Sequence, residues 1–299
     1  MKRVLVTGAR GFIGSHCLTE LLARGYDVHA VSTRDMPSAD GVVWHRANLH
    51  DAAQIAPLLH ESAPTHLLHL AWYVVPGKLI TAPENVSWVV TSIALIRAFI
   101  EAGGQRITLA GSGYEYDWTH GYCTESVTPA IPDTLYGIAK RSLNDLTSAM
   151  AAQAGISSSN GRVFFLYGPN EHPDRLVPAI IRSLLRGDTA RSSHGLQIRD
   201  YLYVSDVAGA LVALLDGHVQ GAVNIGSGVP VSLRDIILRI GAAMGRPDLL
   251  AIGALPARAN DMPLVVANID RLTKEVGWQH RVGLDEGLDR TIQWWKSNV

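Results

Sequence analysis

Apolar and polar residues follow two alternating patterns along the first half of the chain. Short and almost wholly apolar runs predict buried strands, whereas longer stretches with apolar residues three or four positions apart predict helices. Strands are predicted at 3–8, 27–32, 66–72, 106–112 and 161–168, and helices at 14–25, 88–104 and 135–155. This order predicts an α/β fold: a Rossmann-like doubly wound parallel sheet with helices on both faces.

After about residue 168 the pattern changes, because prolines separate shorter elements. Helices are predicted over 231–245, begun by Ser232, and over 284–299. We therefore predict a smaller C-terminal substrate-binding lobe beside a cofactor-binding domain. The predicted domain comprises residues 1–168 with a return segment of about 196–228, and the lobe comprises 169–195 and 229–299.

Composition narrows the class of partners. The chain of 299 residues is 47% apolar, enough for a large core, and its formal net charge of -1 offers no general attraction to nucleic acid or anionic membranes. It has no 18-residue apolar stretch and begins without a signal-peptide pattern. Its two cysteines, Cys17 and Cys123, are too few for a disulfide framework. We expect a cytoplasmic protein without nucleic-acid or membrane partners.

A glycine-rich loop, "TGARGFIGSH", joins the first predicted strand to the first predicted helix. Its glycines allow a tight turn and let the backbone approach a pyrophosphate, which the N-terminus of the helix attracts. In this context the loop predicts a dinucleotide site, and the alternative is a strand–helix turn without a ligand. The predicted contacts are Gly8, Arg10, Gly11, Phe12, Ile13 and Gly14.

The end of the second predicted strand indicates which dinucleotide binds. NAD-preferring sites place an acid there, which bonds the adenosine ribose 2′-hydroxyl. Here Ser32, Thr33 and Arg34 occupy this end, and Arg10 lies in the glycine loop. Because arginines bind phosphate well, this set favours NADP (NADPH) over NAD; the alternative is that both arginines are solvated surface residues. The predicted contacts with adenine, at the next strand end, are Asn48 and Leu49.

Tyr136 and Lys140 lie four residues apart in a predicted helix and therefore share a face. The ordinary pKa of tyrosine is about 10, and a nearby ammonium is expected to lower it toward the range useful for proton transfer. Ser112 ends a predicted strand on the side of the sheet where ligands bind, so its hydroxyl can hold the same substrate oxygen. The three residues predict proton transfer by tyrosine beside a nicotinamide that carries hydride.

These residues belong to an ordered set of motifs that resembles the extended short-chain dehydrogenases/reductases of the nucleotide-sugar epimerase/dehydratase group. The motifs are "TGARGFIG", "HLA" at 69–71, Ser112, the Tyr136–Lys140 pair, "YGP" at 167–169, "RDYLYVSDVA" at 199–208 and "NIGSG" at 224–228. The resemblance implies a homodimer formed through the helices at 88–104 and 135–155. It also implies that the cofactor is contacted by Leu70, Ala71, Tyr136 and Lys140.

The resemblance further implies a nucleotide-sugar substrate. Its phosphates are expected at Arg199 and Arg258, with Arg175 as a further candidate, and the alternative for each arginine is a surface or domain-bridging ion pair. The residues expected beside the sugar are Ser112, Gly113 and Tyr114.

Acids beside the sugar distinguish the reactions of this group. Relatives that eliminate water or carbon dioxide carry carboxylates at the positions of Gly113 and Tyr114, which this chain lacks. Glu115 is one position removed, where a continuing strand would turn its side chain away. No metal site is expected either, because His66 and His69 would point to opposite faces of one strand.

Ketone reduction and 4-epimerisation remain as reactions. The C-terminal pattern resembles CDP-abequose synthase-like 4-ketoreductases, and the predicted preference for NADPH agrees with net reduction. We therefore predict NADPH-dependent reduction of the C4 ketone of a nucleotide-linked 4-keto-6-deoxy sugar. The alternatives are an NDP-sugar 4-epimerase with tightly bound NAD, a reductase of a non-nucleotide ketone or aldehyde, and a dinucleotide-sensing regulator without catalysis.

Overall fold

The computed structural model describes residues 2–37, 41–257 and 261–298. Its strands are β1 (Arg3–Thr7), β2 (Asp27–Ser32), β3 (Val42–Arg46), β4 (His66–His69), β5 (Arg106–Ser112), β6 (Tyr122–Cys123), β7 (Ser157–Val163), β8 (Phe165–Tyr167), β9 (Ala190–Ser192), β10 (Ile198–Tyr203), β11 (Gly221–Ile225), β12 (Pro230–Ser232), β13 (Leu250–Ile252) and β14 (Leu264–Ala267). Its α-helices are α1 (Phe12–Ala23), α2 (Ala52–Ser62), α3 (Glu84–Glu101), α4 (Leu135–Ala154), α5 (Leu176–Arg186), α6 (Val204–Asp216), α7 (Leu233–Ala243) and α8 (Leu284–Asn298).

The central layer is a seven-stranded parallel sheet in the order β11-β7-β5-β4-β1-β2-β3. Helices α1 and α6 pack on one face, and α2, α3 and α4 pack on the other. Because both faces are covered, the inner strands read as continuous apolar runs, which is why the sequence pattern predicted them. The predicted Rossmann-like doubly wound α/β fold is therefore confirmed.

A smaller lobe packs beside this layer. Its main sheet has the order β12-β10-β14-β6, with β8 also paired to β10, and β9 pairs with β13. Helices α5, α7 and α8 share its apolar core. Within the return segment, β10 lies in this lobe sheet, whereas α6 and β11 join the central layer. Ser232 begins α7 as predicted, and its Oγ accepts a hydrogen bond from Asp235 N at 3.0 Å.

One predicted strand is wrong. The pattern at 161–168 predicted a single strand, but β7 begins earlier, at Ser157, and stops at Val163, after which β8 belongs to the other sheet. The change of sheet occurs at Phe164, whose N–H donates to Ile225 O at 3.0 Å. The start of β7 was missed because Ser158 and Asn160 are polar residues with low strand propensity, yet both are buried.

The side chain of Asp200 connects the lobe to the segment after β11. It is wholly buried and accepts hydrogen bonds from the backbone N–H groups of Ser227 at 2.6 Å, Gly228 at 2.9 Å and Ala267 at 3.2 Å. This arrangement explains the aspartate of the "RDY" motif as a structural residue.

The outer faces of α3 and α4 expose apolar side chains. Val86 and Val90 of α3 are 54% and 67% exposed, and Ile138 and Leu146 of α4 are 48% and 47% exposed. Among the described residues, no helix is long and apolar enough to cross a membrane.

Candidate active site

The glycine loop turns sharply between β1 and α1. Gly8 has a φ of 68°, and a Cβ there would lie 2.7 Å from Ala71 N. A Cβ on Gly14 would lie 2.2 Å from Gly8 O, and Gly11 N donates to the same oxygen at 2.9 Å. Because no larger side chain fits at Gly8 or Gly14, only glycines allow this tight turn, which has the shape predicted for a pyrophosphate-binding loop. The other predicted contacts of this loop, exposed or half-buried, are Arg10, Phe12 and Ile13.

A buried hydrogen-bond network supports this loop. Thr7 Oγ1 lies 2.7 Å from His69 Nδ1, and His69 Nε2 lies 2.8 Å from Ser92 Oγ of α3. The backbone N–H groups of Leu70 and Ala71 donate to Thr7 Oγ1, both at 3.2 Å. The end of β4 is thereby held against the glycine loop. Burial lowers the pKa of His69 to about 3, with the Lys140 charge acting in the same direction, so the ring is neutral near pH 7.

The end of β2 carries the residues predicted to select the cofactor. Ser32 is buried, and its Oγ accepts from Arg34 N at 3.0 Å, whereas the Thr33 and Arg34 side chains are exposed. Asp35, the nearest acid in sequence, pairs with Arg46 at 2.9 Å. Strand pairing places Arg46 opposite Ser32, a neighbour that the sequence alone did not reveal. The carboxylate is therefore engaged by an arginine, while the Arg34 side chain has no hydrogen bond or ion pair with described residues.

Asn48 and Leu49 follow β3 at the same edge. Asn48 Oδ1 accepts from His50 N at 3.1 Å, and Asn48 N donates to Gln54 Oε1 at 2.8 Å. Leu49 is buried in the core between the sheet and α2. The Asn48 oxygen is thus used within the turn, whereas its side-chain N–H groups have no hydrogen bond with described residues.

Helix α4 carries Tyr136 and Lys140 on one buried face. Thr134 caps the helix, its Oγ1 accepting from a backbone N–H of the first turn at 3.1 Å. Tyr136 and Lys140 are 8% and 7% exposed. Lys140 Nζ donates to Ala110 O of β5 at 2.9 Å and lies 3.9 Å from the centroid of the Trp72 ring. The pair is therefore not a pair of surface residues but part of the interior beside β5.

Burial controls the proton affinity of both groups. It raises the pKa of Tyr136 to about 12, while a hydrogen bond with Ser112 lowers this pKa and the charge of Glu115 raises it. Burial lowers the pKa of Lys140 to about 7, and Glu115 acts in the opposite direction. The prediction that Lys140 brings the pKa of Tyr136 below its ordinary value is therefore wrong, because the cost of burying a phenolate dominates. Near neutral pH, Tyr136 is a phenol.

The chain turns immediately after Ser112. Residues Gly113–Glu115 form a short 3-10 turn, so the strand does not continue to Glu115. Glu115 instead folds back beneath the site: its Oε1 accepts from Ser112 N at 2.9 Å, and its Oε2 pairs with Arg162 Nε at 2.9 Å. The carboxylate is wholly buried and engaged by these partners. Neither Gly113 nor Tyr114 supplies an acid at the sugar side.

A row of half-buried aromatic rings leads away from Tyr136, and we call it the aromatic strip: Tyr114, Trp118, Phe165 and Tyr201. Successive ring centroids from Tyr136 onward lie 5.6, 4.1, 6.0 and 5.7 Å apart. The resemblance to the nucleotide-sugar group placed Tyr114 beside the sugar. Tyr201 was missed, because only the pairing of β10 with β8 places it beside Phe165.

The three arginines predicted for substrate phosphates differ in their surroundings. Arg199 is buried, forms an ion pair with Asp261 and also donates to Ile198 O at 2.8 Å. The guanidinium is thus engaged by an ion pair within the lobe, whose sheet contains β10. Arg175 is exposed at the start of α5, its side chain has no hydrogen bond or ion pair with described residues, and its charge acts on Tyr136. Arg258 lies outside the described residues.

Histidines and cysteines form no metal centre in the part of the chain that the structure describes. His66 packs its ring 5.6 Å from that of Tyr26, on the face of the sheet opposite to the one where His69 meets Ser92. Cys123 is buried, and burial raises its pKa to about 12, which keeps it a thiol.

Known proteins resemble the chain along its whole length. Residues 4–226 match the NAD dependent epimerase/dehydratase family. The chain is 29% identical to the UDP-glucose 4-epimerase of Mycolicibacterium smegmatis, with 99% of each chain covered. It is 24% identical to the dTDP-4-dehydro-6-deoxyglucose reductase of Escherichia coli, with 97% of this chain and 96% of that protein covered.

A solved structure extends the resemblance to three dimensions. MoeE5, in complex with UDP-glucuronic acid and NAD, is 32% identical and superimposes with a TM-score of 0.86, over 99% of this chain and 100% of that one. The family match spans most of the sequence and agrees with the parallel sheet, the glycine loop and the Tyr136–Lys140 helix. The chain therefore belongs to the NAD dependent epimerase/dehydratase family, in the nucleotide-sugar group of the extended short-chain dehydrogenases/reductases, enzymes that bind NAD(P).

Proposed function

We propose that the protein uses NADPH to reduce the C4 ketone of a nucleotide-linked 4-keto-6-deoxy sugar. The observation that carries this proposal is the buried cluster of Ser112, Tyr136 and Lys140, without a carboxylate at Gly113 or Tyr114. Such a set can complete hydride and proton transfer at a carbonyl. It has no acid at either position to eliminate water or to remove a carboxyl group.

The protonation states support reduction. NADPH, when bound, supplies the hydride to C4. Tyr136 then donates its proton to the ketone oxygen, the Ser112 hydroxyl holds that oxygen, and Lys140 supplies positive charge nearby. A Tyr136 pKa of about 12 keeps the phenol protonated, as a donor must be. An epimerase begins by oxidising an alcohol and needs the same group first as a base and then as an acid.

The aromatic strip supports a deoxy sugar as substrate. The rings of Trp118 and Phe165 present apolar surface between Tyr136 and Arg199, and the Arg199 guanidinium lies 5.4 Å from the centroid of the Phe165 ring. Apolar walls favour a methyl group over a hydroxymethyl or carboxylate, which would lose water without gaining a partner.

Two features bear on the cofactor. Arg10 and Arg34 are exposed at the edge where a 2′-phosphate would lie, and Asp35 is engaged by Arg46, which supports NADPH. The alternative function, an NDP-sugar 4-epimerase with tightly bound NAD, is favoured by the epimerase of M. smegmatis and by the NAD of MoeE5. The E. coli reductase favours reduction of a 4-keto sugar.

Substrate-dependent consumption of NADPH tests the proposal. The purified protein would be titrated with NADPH and NADH, and CDP-, dTDP- and GDP-4-keto-6-deoxyhexoses would then be added in turn while nicotinamide absorbance is followed. Loss of absorbance that requires one keto sugar supports the reductase and identifies the base. If the protein retains NAD and no keto sugar causes net consumption of NADPH, the epimerase becomes the better explanation than the reductase.

The Arg175→Ala variant tests whether the substrate is a nucleotide sugar or another ketone. The Arg175 side chain is exposed and has no hydrogen bond or ion pair with described residues, so its removal breaks no direct contact, although its charge lowers the pKa of the buried Glu171. Arg199→Ala, in contrast, would leave Asp261 without its ion-pair partner. We expect the KM for the nucleotide sugar to rise about tenfold with little change in kcat. The matched control is Arg186→Ala at the other end of α5, an exposed arginine paired with Asp188. An unchanged KM in Arg175→Ala would support a non-nucleotide ketone.

We also propose a homodimer formed through α3 and α4. The exposed apolar side chains of Val90 and Ile138 on these neighbouring helices support it. Sedimentation velocity should give twice the chain mass, and Val90→Asp should give a monomer; a monomeric wild-type protein would contradict the proposal.

A further inference from the structure

Glu115 lies at the centre of a buried polar cluster behind the reacting residues. Its Oε2 accepts from Arg162 Nε at 2.9 Å, and Asn160 Nδ2 donates to both carboxylate oxygens, at 3.0 and 3.1 Å. The Arg162 guanidinium also packs 4.4 Å from the Tyr116 ring centroid. Glu115 is 0% exposed, so water cannot screen its charge effectively.

The end of β5 connects this carboxylate to the active site. Ala110 O accepts from Lys140 Nζ at 2.9 Å, and Ser112 N donates to Glu115 Oε1 at 2.9 Å. Between them, a Cβ on Gly111 would lie 2.5 Å from Glu115 Oε1, so only glycine lets the carboxylate pack against the strand. Three consecutive residues thus contact Lys140 at one end and Glu115 at the other.

The charged and titratable groups around Lys140 and Tyr136 are few in the described structure. His69 of β4 is neutral, Tyr114 of the adjacent turn faces Tyr136, and Arg175 at the start of α5 is a cation. Glu115 is the acid whose charge acts on both Lys140 and Tyr136, raising the pKa of each.

We propose that Glu115 is a positioning residue of the active site, which fixes Ser112 through its backbone N–H and supplies negative charge that favours the ammonium form of Lys140. This role deepens the proposed function and rests on it for its effect on turnover. The effect on Lys140 itself does not depend on the identity of the substrate.

Removing the charge has an effect of predictable sign. Without the carboxylate, the pKa of Lys140 should fall further below its ordinary value, and the proton on Tyr136 should be lost more readily. The reductase needs the proton on Tyr136 and the proton on Lys140. The alkaline limb of its kcat/KM profile should therefore move to lower pH. We expect Glu115→Gln to move this limb, and the Lys140 titration, by about one pH unit.

The experiment uses two readouts on the purified full chain. The first is the pH profile of kcat/KM for NADPH-dependent ketone reduction. The second is an NMR titration of 15N-lysine-labelled protein, in which the Lys140 signal is assigned with Lys140→Arg. The matched control is Glu125→Gln, because Glu125 is a half-buried acid that accepts from Asn224 N at 2.8 Å and exerts no resolved effect on Lys140.

A second variant keeps the test valid if Glu115→Gln is unstable. That change leaves Arg162 buried without its partner, which is costly, whereas Glu115→Gln/Arg162→Gln removes both charges and should recover stability. The proposal requires the double variant to keep the shifted Lys140 titration. If Lys140 titrates in either variant at the same pH as in the wild-type protein, the proposal is overturned. If no keto sugar supports turnover by the wild-type protein, the proposed function fails while the NMR titration still decides the role of Glu115.

Discussion

The two ends of the crevice are built in opposite ways. The buried end consists of Ser112, Tyr136 and Lys140, each less than a tenth exposed and each held by protein partners. The exposed edge consists of Arg10 and Arg34, whose side chains have neither hydrogen bonds nor ion pairs with the described residues. Both ends carry basic side chains, and at the buried end burial raises the pKa of Tyr136 and lowers that of Lys140.

The buried end is prepared for chemistry, whereas the exposed edge serves to recognise the cofactor. At the buried end, low polarity and fixed hydrogen bonds set protonation states before any ligand arrives. At the exposed edge, water and salt screen the arginines, so their contribution depends on the phosphate that they meet. Changes at the buried end should therefore alter turnover and stability, and changes at the exposed edge should alter cofactor affinity alone.

Tyr136→Phe should produce the largest effect. The change removes the proton donor but keeps the ring, so kcat should fall by about 10²- to 10⁴-fold while the Kd for NADPH, measured by fluorescence titration, stays within a factor of about three. Tyr122→Phe, at a 52% exposed tyrosine, is the control and should retain full activity. Near-normal turnover in Tyr136→Phe would remove this residue from the mechanism.

Acid should destabilise the folded protein through the buried network of His69, which lies beside the buried end. His69 has a folded-state pKa of about 3, below its unfolded value of about 6.5, so the unfolded state binds more protons between these values. The free energy of unfolding should therefore fall as pH drops from 6.5 to 4, by about 3 kcal/mol from this residue. His69→Gln does not titrate, and denaturant unfolding should show a shallower loss in this variant. If the free energy of unfolding falls equally steeply with pH in both proteins, another residue causes the acid sensitivity.

Arg34→Ala should produce the smallest effect, confined to cofactor affinity. Loss of one cation at a 2′-phosphate should raise the Kd for NADPH about tenfold, leave the Kd for NADH unchanged and reduce the salt dependence of NADPH binding. The reductase kcat at saturating NADPH should not change. Arg186→Ala provides a charge-matched control outside the crevice. An equal loss of affinity for NADPH and NADH would show that Arg34 does not contact the 2′-phosphate.

Much of the fold was predictable because its signals are local. The predicted strand at 106–112 and the helix at 135–155 agree with β5 and α4 to within one residue. The segment 157–160 was not predictable in the same way, because "SSSN" reads as a loop. It forms part of β7 since its polar side chains find partners inside the protein: Ser159 lies 2.9 Å from Thr108, and Asn160 donates to Glu115.

The candidate active site likewise has features that the sequence predicted and features that it did not. The 136–140 spacing correctly places two side chains on one helix face, and the glycine loop has the shape that its sequence predicts. The direction of the Tyr136 pKa shift was wrong, because the sequence shows the charge of Lys140 but not the depth of burial. Arg199 illustrates a similar limit, since its partner Asp261 comes from a distant part of the chain.

By itself the sequence determined several strands and helices of the central layer, the glycine loop and the identity of the acid and base candidates. These features depend on periodicity and on residues within one turn or one loop. Only the tertiary structure decided which charges are paired, which are exposed and which side chains are protonated. Ion pairs such as Glu115–Arg162 and the desolvation of Tyr136 arise when residues far apart in sequence exclude water together, and no local pattern encodes that exclusion.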